Sequence, residues 1–326
     1  MNKLYPLKFK PRFRDKIWGG SKIKDVLGMD FGNLPNCGEA WVLSGVENND
    51  TVVSEGFLEG NELNELVEVY MDDLVGEKVY EKYKNEFPIL VKFIDASDWL
   101  SIQVHPNDEL AQKRGLGNGK TEMWYIISTD ENSELITGFS KNVNQKTYLD
   151  HLKKNTLKDI LNFEKVKPGD IFYMPAGRVH ALGPGILLAE IQQTSDTTYR
   201  IYDWDRTDDQ GNQRELHTEE ALEAIDYNTY DDYKTDYPKV KNQTAPAVQE
   251  KYFTTNVLHI DEPLTKSYAE LESFVIFTCV QGDAKVNYPD GNISLRMGEC
   301  LLIPNIITEI SIVPSSETKI LETYIL

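Results

Sequence analysis

Chemistry in this chain begins with the run Leu100-Ser101-Ile102-Gln103-Val104-His105. Successive side chains of a strand point to opposite faces. Leu100, Ile102 and Val104 can therefore enter a core, while Ser101, Gln103 and His105 present a hydroxyl, an amide oxygen and an imidazole in one row. Glu122 heads a second strand-like run, EMWYII, and His180 closes the stretch PGDIFYMPAGRVH. Two imidazoles, a carboxylate and an amide oxygen make a mixed N/O donor set suited to zinc, with manganese or iron as chemically possible occupants. Each residue alone has a plainer reading. A lone strand histidine is usually a satisfied structural residue, Gln103 a solvent-facing amide, and Glu122 an ion-pair partner of Lys120. The four together predict a metal site. His151 and His217 lie in polar surroundings and are read as surface residues.

Such a site needs strands to hold it. Short runs rich in Val, Ile, Tyr and Phe, bounded by Gly, Pro, Asn and Asp, dominate the chain and predict a mainly β protein with a few helices. Helical periodicity is confined to residues 62–71, where Leu63, Leu66, Val67 and Tyr70 follow a cap at Asn61, to residues 148–161, and to a segment starting near Glu219. The polar, tyrosine-rich stretch 227–252 marks the expected boundary. It divides a catalytic domain, 1–235, from a smaller C-terminal β domain, 236–326. An internal echo supports the division: VKPGDIFYMPAGRVH (166–180) is matched by LRMGECLLIPNIITE (295–309), aligning Gly169 with Gly298 and Pro175 with Pro304. In the second copy Ile306 and Glu309 stand where the first has Gly177 and His180, so the C-terminal unit is expected to keep the β scaffold without the metal.

Composition narrows the function. A chain of 326 residues with 40% hydrophobic content can bury an ample core without disulfides, and its three cysteines form no CxxC pair. A formal net charge of -19 argues against nucleic-acid binding, which relies on basic surface. The first 20 residues lack an apolar signal core and no stretch reaches membrane-span length, so a cytoplasmic protein without membrane contact is expected. An acidic protein that takes an anionic substrate must concentrate cations at the binding site.

PGDIFYMPAGRVH resembles the second cupin motif, Gly-x5-Pro-x-Gly-x2-His, at every spacing. Cupins are double-sheet jelly rolls, and the C-terminal unit then reads as a degenerate cupin-like domain. The wider resemblance is to the type I phosphomannose isomerases, in their short bacterial form. It is carried by SIQVHPND (101–108), GKTEMWYI (119–126), PAGRVHAL (175–182) and QQTSDTTYRIYDWDR (192–206), with DKIWGG (15–20) and GEAWVLSG (38–45) upstream. These cover roughly the first two-thirds of the chain, in the family order.

The resemblance implies one zinc ion per chain on Gln103, His105, Glu122 and His180, the same four residues reached above. It further implies catalytic roles for Lys120, Asp196 and Arg200, and substrate contacts from Lys92, Ser101, Lys120 and Arg200. The implied reaction interconverts mannose 6-phosphate and fructose 6-phosphate through an enediolate. Arg200 would serve the developing oxyanion or the phosphate, and Lys120 proton transfer or the phosphate. Asp196 or a zinc-bound water would take the C2 proton. Salt bridges from Arg200 to Asp203 or Asp205, and a turn at Asp196, are the plainer readings. Tyr199, Tyr202 and Trp204 are expected to pack. Three other functions compete: a carbohydrate-binding cupin without isomerase activity, an isomerase of another sugar phosphate, and an iron oxygenase. The last is disfavoured because Gln103-Val104-His105 stands where oxygenases carry His-x-His. Whether the chain is a monomer or a dimer is not readable from sequence.

Overall fold

The computed structural model describes residues 3–207 and 210–326. Every strand pairing among them is antiparallel and joins neighbours in one of four sheets. Two of these carry the N-terminal motifs. A six-stranded sheet runs in the order Ile171–Met174, Glu122–Thr129, Ile186–Gln193, Ile89–Ala96, Glu39–Leu43, Arg12–Arg14. A five-stranded sheet runs Tyr199–Tyr202, Ile102–Val104, His180–Leu182, Glu134–Phe139, Leu161–Lys165. They face each other across Ile94, Leu100, Trp124, Phe172, Leu182 and Leu188, the double-sheet arrangement of a jelly roll.

The strand Ile186–Gln193, ILLAEIQQ, is buried throughout, and its alternation explains the site. Leu187, Ala189 and Ile191 turn outward into a core shared with the C-terminal sheet. Ile186 and Leu188 turn inward among apolar neighbours. Glu190 and Gln192 continue that same inward face, because the side-chain period is two. The neighbouring strands change character toward the same end: Ile94 gives way to Lys92 opposite Glu190, and Trp124 to Glu122 one inward position further, opposite Gln192. One end of the jelly roll is therefore packed with hydrocarbon and the other lined with charge.

The C-terminal unit repeats the plan with a seven-stranded and a four-stranded sheet around Leu258, Val275, Phe277, Leu295, Leu301 and Ile310. Its larger sheet recruits Leu7–Lys10 and Val52–Val53, with Leu7 opposite Leu302. Thus the segment before the expected boundary lends two strands to the sheet after it, and one core cluster runs from Leu7 through Phe93 and Ile191 to Phe274 and Leu321.

The echo is visible strand for strand. Gly169 and Gly298 both turn at positive φ, 88° and 85°, where a side chain would be strained. Each is followed by a four-residue strand, Ile171–Met174 or Cys300–Ile303, then by the proline, then by a strand starting at His180 or Glu309.

Of the three expected helices, the first is Leu63–Val75, longer than its periodicity predicts and interrupted at Met71, whose φ is 45°. Its cap is Glu62, which shares a capping box with Glu65, whereas the Asn61 amide donates to the Leu58 carbonyl instead. The second helix is shifted to Gln145–Lys153 by the Asn144 cap, and residues 157–160 form a separate 3-10 turn. The third is Thr218–Ala224. No helix among the described residues is long and apolar enough to cross a membrane.

Candidate active site

Two rows of directly opposed residues, one from each sheet, build the site. On the five-stranded sheet Arg200, Gln103, His180 and Thr137 are neighbours across four strands. On the six-stranded sheet Trp41, Lys92, Glu190 and Trp124 form a similar row, and Gln192 lies opposite Glu122 one step further along. Opposed residues of an antiparallel pair sit about 5 Å apart, so each row brings its side chains together whatever their separation in sequence. His105 lies one residue past its strand, fixed by its carbonyl, which accepts the Gly177 N–H at 2.9 Å. Gly177 has a φ of 92°, and an added Cβ would come within 2.9 Å of the Ala224 carbonyl oxygen. The motif glycine is thus required by a close approach.

Backbone carbonyls fix both imidazoles. Nδ1 of His105 lies 2.9 Å from the Thr197 oxygen and Nδ1 of His180 lies 2.8 Å from the Arg178 oxygen. A carbonyl can only accept, so Nδ1 carries the proton in each ring and Nε2 keeps its lone pair. Those lone pairs converge on Glu122: His105 Nε2 is 3.6 Å from Oε2 and His180 Nε2 is 3.4 Å from Oε1. Burial, the Lys120 ammonium and the second imidazole push His105 well below the usual histidine range. Burial also lowers His180, despite Glu122. Both rings are therefore neutral near pH 7, as ligands must be.

The donor set fits a divalent cation. One ligand atom each from His105, Glu122 and His180 lie within 4.8 Å of one another, all three residues buried. The Gln103 amide is beside them, its nitrogen 3.3 Å from His180 Nε2. Glu122 is fully buried; Lys120 faces its Oε2, while Oε1 has no hydrogen bond among the described residues, a costly state for a carboxylate oxygen unless a second cation completes it. Lys120 Nζ stands 2.9 Å from Oε2 and 3.0 Å from His105 Nε2, so the expected Lys120–Glu122 pair exists alongside the cluster. Burial opposes the Lys120 charge, but Glu122 and Glu190 outweigh it and raise its pKa.

By contrast, Glu309, the echo's counterpart of His180, is exposed and accepts the Ser267 hydroxyl at 2.6 Å. Glu309→Ala is expected to leave metal content, measured by atomic absorption, equal to that of the unmodified protein.

A cavity of about 460 Å³ opens over the cluster. Its walls include Ser101, Gln103, His180, Lys92, Lys120, Asp196 and Arg200, so these residues singled out from sequence face one space, while His105 and Glu122 are buried against the Lys120 of its wall. Lys92 is already engaged by Gln192 at 2.7 Å and Glu190 at 3.2 Å. Arg200 makes neither of the salt bridges proposed for it. Asp203 is held by Arg206 at 2.5 Å and Arg214 at 2.6 Å, and Asp205 accepts the Tyr202 hydroxyl at 2.9 Å. Arg200 donates to the Glu215 carbonyl at 2.8 Å, while its Nε is buried without a partner among the described residues. Burial and the Arg214 charge lower its pKa from the ordinary value. Trp204 packs on Trp99 as expected. His217 is no free surface residue, since its ring Nδ1 accepts the Arg200 N–H at 3.2 Å.

Sequence reasoning missed Glu190, Glu39, Arg14, Lys16 and Arg214, all on the cavity wall. Glu190 is buried, and Lys92, Lys120 and the Trp124 N–H overcome its burial to hold it below the usual carboxylate range. Its signal was present: the one charged residue of a fully buried strand, ILLAEIQQ. Glu39, Arg14 and Lys16 lie in or beside DKIWGG and GEAWVLSG, whereas Arg214 sits in a loop with no pattern to flag it.

Comparison with known proteins yields two family matches. The model for the catalytic domain of type I phosphomannose isomerase matches residues 6–139, and that for the mannose-6-phosphate isomerase cupin domain matches residues 243–324. The chain is 34% identical over 305 residues to the mannose-6-phosphate isomerase ManA of Bacillus subtilis, spanning 92% of this chain and 93% of that protein. It is 32% identical over 303 residues to the mannose-6-phosphate isomerase of Streptococcus mutans, spanning 93% of each. The crystal structure of the mannose 6-phosphate isomerase from Bacillus subtilis superposes with a TM-score of 0.88 at 32% identity, covering 98% of this chain and 99% of that one.

Proposed function

Since the chain belongs to the type I phosphomannose isomerases, we propose that it interconverts mannose 6-phosphate and fructose 6-phosphate in the cytoplasm, with one zinc ion on Gln103, His105, Glu122 and His180. The observation that carries the reading is the buried carboxylate of Glu122, set between two imidazole lone pairs with its Oε1 unsatisfied among the described residues, directly behind Lys120 and His180 of a cation-rich cavity wall. Residues 1–235 are taken as the catalytic unit and 236–326 as a unit without a metal site.

The reaction moves a proton between C2 and C1 of the opened sugar, and negative charge develops on the substrate oxygens as the enediolate forms. When bound, the metal supplies Lewis-acid stabilisation of that charge. Arg200, directly across the strand pair from Gln103, adds fixed positive charge at the same end. Lys120, held as an ammonium, delivers a proton to a substrate oxygen and recovers one from its neighbour. Asp196 takes the C2 proton and returns it to C1. Among the cavity's carboxylates it alone has no ion pair among the described residues, whereas Glu39 is held by Lys16 at 3.3 Å and Glu190 by Lys92 at 3.2 Å. Ser101 and Lys92 contribute contacts along the wall.

A coupled assay for fructose 6-phosphate on chelator-treated protein tests the proposal. Turnover should vanish with the chelator and return with one equivalent of zinc per chain. No turnover with zinc bound would reject the isomerase reading in favour of another sugar phosphate or a carbohydrate-binding role.

A further inference from the structure

Six cations line the cavity: Arg14, Lys16, Lys92, Lys120, Arg200 and Arg214. Four are neutralised within the protein. Lys16 pairs with Glu39 at 3.3 Å, Lys92 with Glu190 at 3.2 Å, Lys120 with Glu122 at 2.9 Å, and Arg214 with Asp203 at 2.6 Å. Arg14 and Arg200 make no ion pair among the described residues. A sugar phosphate brings one centre of negative charge, the phosphate, and would develop a second on the oxygens of the reacting carbons during isomerisation, and two arginines without an ion pair among the described residues face the space that receives it.

Their positions divide the work. Arg200 is in register with Gln103, beside the imidazoles and Glu122. Arg14 ends the edge strand of the opposite sheet, opposite Glu39. Four strand steps separate it from the strand of Glu122 in the sheet order, ~19 Å between strand axes at about 4.8 Å each. Both side chains reach into the same cavity, so an occupant whose reacting end lies over the imidazoles presents its far end to Arg14.

The Arg14 side chain is also held in place. Its guanidinium lies over the Trp41 ring, 5.1 Å from the centroid, and donates to the Asn49 side-chain oxygen. An aromatic face and a neutral amide orient a guanidinium while leaving its charge available. Trp41 is itself fixed, its indole N–H donating to Glu39 at 2.7 Å.

We infer that Arg14 binds the phosphate group of the substrate at the cavity wall away from the metal ligands, and thereby selects phosphorylated over free sugars. This rests on the sugar-phosphate reading above. Arg200 then serves the reacting oxygens alone, and Lys92 and Lys120 do not carry the phosphate.

The test titrates zinc-reconstituted protein with mannitol 6-phosphate, a polyol phosphate that cannot isomerise, by calorimetry, alongside steady-state kinetics with mannose 6-phosphate. Arg14→Gln should weaken mannitol 6-phosphate ten- to hundred-fold, the usual range for losing a charge-assisted contact, and raise KM similarly with kcat within about threefold. Asn49→Ala, which releases the guanidinium but keeps its charge, should show a smaller loss of the same kind and serves if the first variant does not fold. Unchanged affinity in folded Arg14→Gln, a loss confined to kcat, or no binding by the unmodified protein would overturn the inference. If mannitol 6-phosphate binds through Arg14 but mannose 6-phosphate is not turned over, the isomerase reading fails and the anion site stands.

Discussion

His180→Ala is expected to lose bound metal and turnover together, with activity falling ~10³-fold or more, about 4 kcal/mol of transition-state stabilisation. The imidazole is held by the Arg178 carbonyl, so its lone pair has one direction to point, and that direction is Glu122. Deleting it removes one of the four proposed ligands, and loss of the metal would leave the buried Glu122 carboxylate with the Lys120 ammonium as its neighbouring cation. Metal analysis after dialysis reads the first effect and the coupled assay the second. His259→Ala is the control: His259 pairs with Glu317 at 2.7 Å in the C-terminal unit and should keep both metal and rate. Stoichiometric zinc retained by His180→Ala would sink the ligand assignment.

The four proposed ligands were legible because their types are rare on one face of a strand and because the motif spacing around His180 is rigid. What remained hidden has physical causes. LKFK is four residues long, and nothing local says that Leu7 pairs with Leu302 rather than with a nearby strand. That pairing is stabilised by a core assembled from both halves of the chain, which no window of sequence contains. Glu190 was hidden differently. In a strand buried on both faces, the inward and outward sets are both apolar over much of the length, so ILLAEIQQ does not announce which face holds the acid. Only the register to Lys92 and Trp124 shows that the acid is paired within the site. The helix cap failed for a local reason. Asn61 is the commoner capping type, but Glu65 three residues after Glu62 makes a reciprocal box available one position later. Cations on the cavity wall were foreseen from the conflict between a net charge of -19 and an anionic substrate, although charge alone could not distinguish the paired ones from the free.

That distinction gives the second large effect. Arg200→Lys keeps one positive charge at the site but gives up the planar fork, and kcat is expected to fall ~10²-fold, near 3 kcal/mol, with zinc content unchanged. Arg200 already spends one N–H on the Glu215 carbonyl, and its buried Nε has no partner among the described residues. A lysine ammonium at that position can satisfy the carbonyl or the substrate oxygens, not both in the same geometry. The loss should appear in kcat with KM changed little, because on the proposed mechanism the charge that Arg200 would meet develops only as the enediolate forms. An unchanged rate would remove Arg200 from the chemistry. Combining it with Arg14→Gln makes the assignment sharper. Two arginines at opposite ends of one substrate, acting on groups that do not share charge in the rate-limiting step, should give additive losses in kcat/KM to within about 0.5 kcal/mol. Strong coupling would mean that both hold the same oxygen atoms and that the phosphate lies between them.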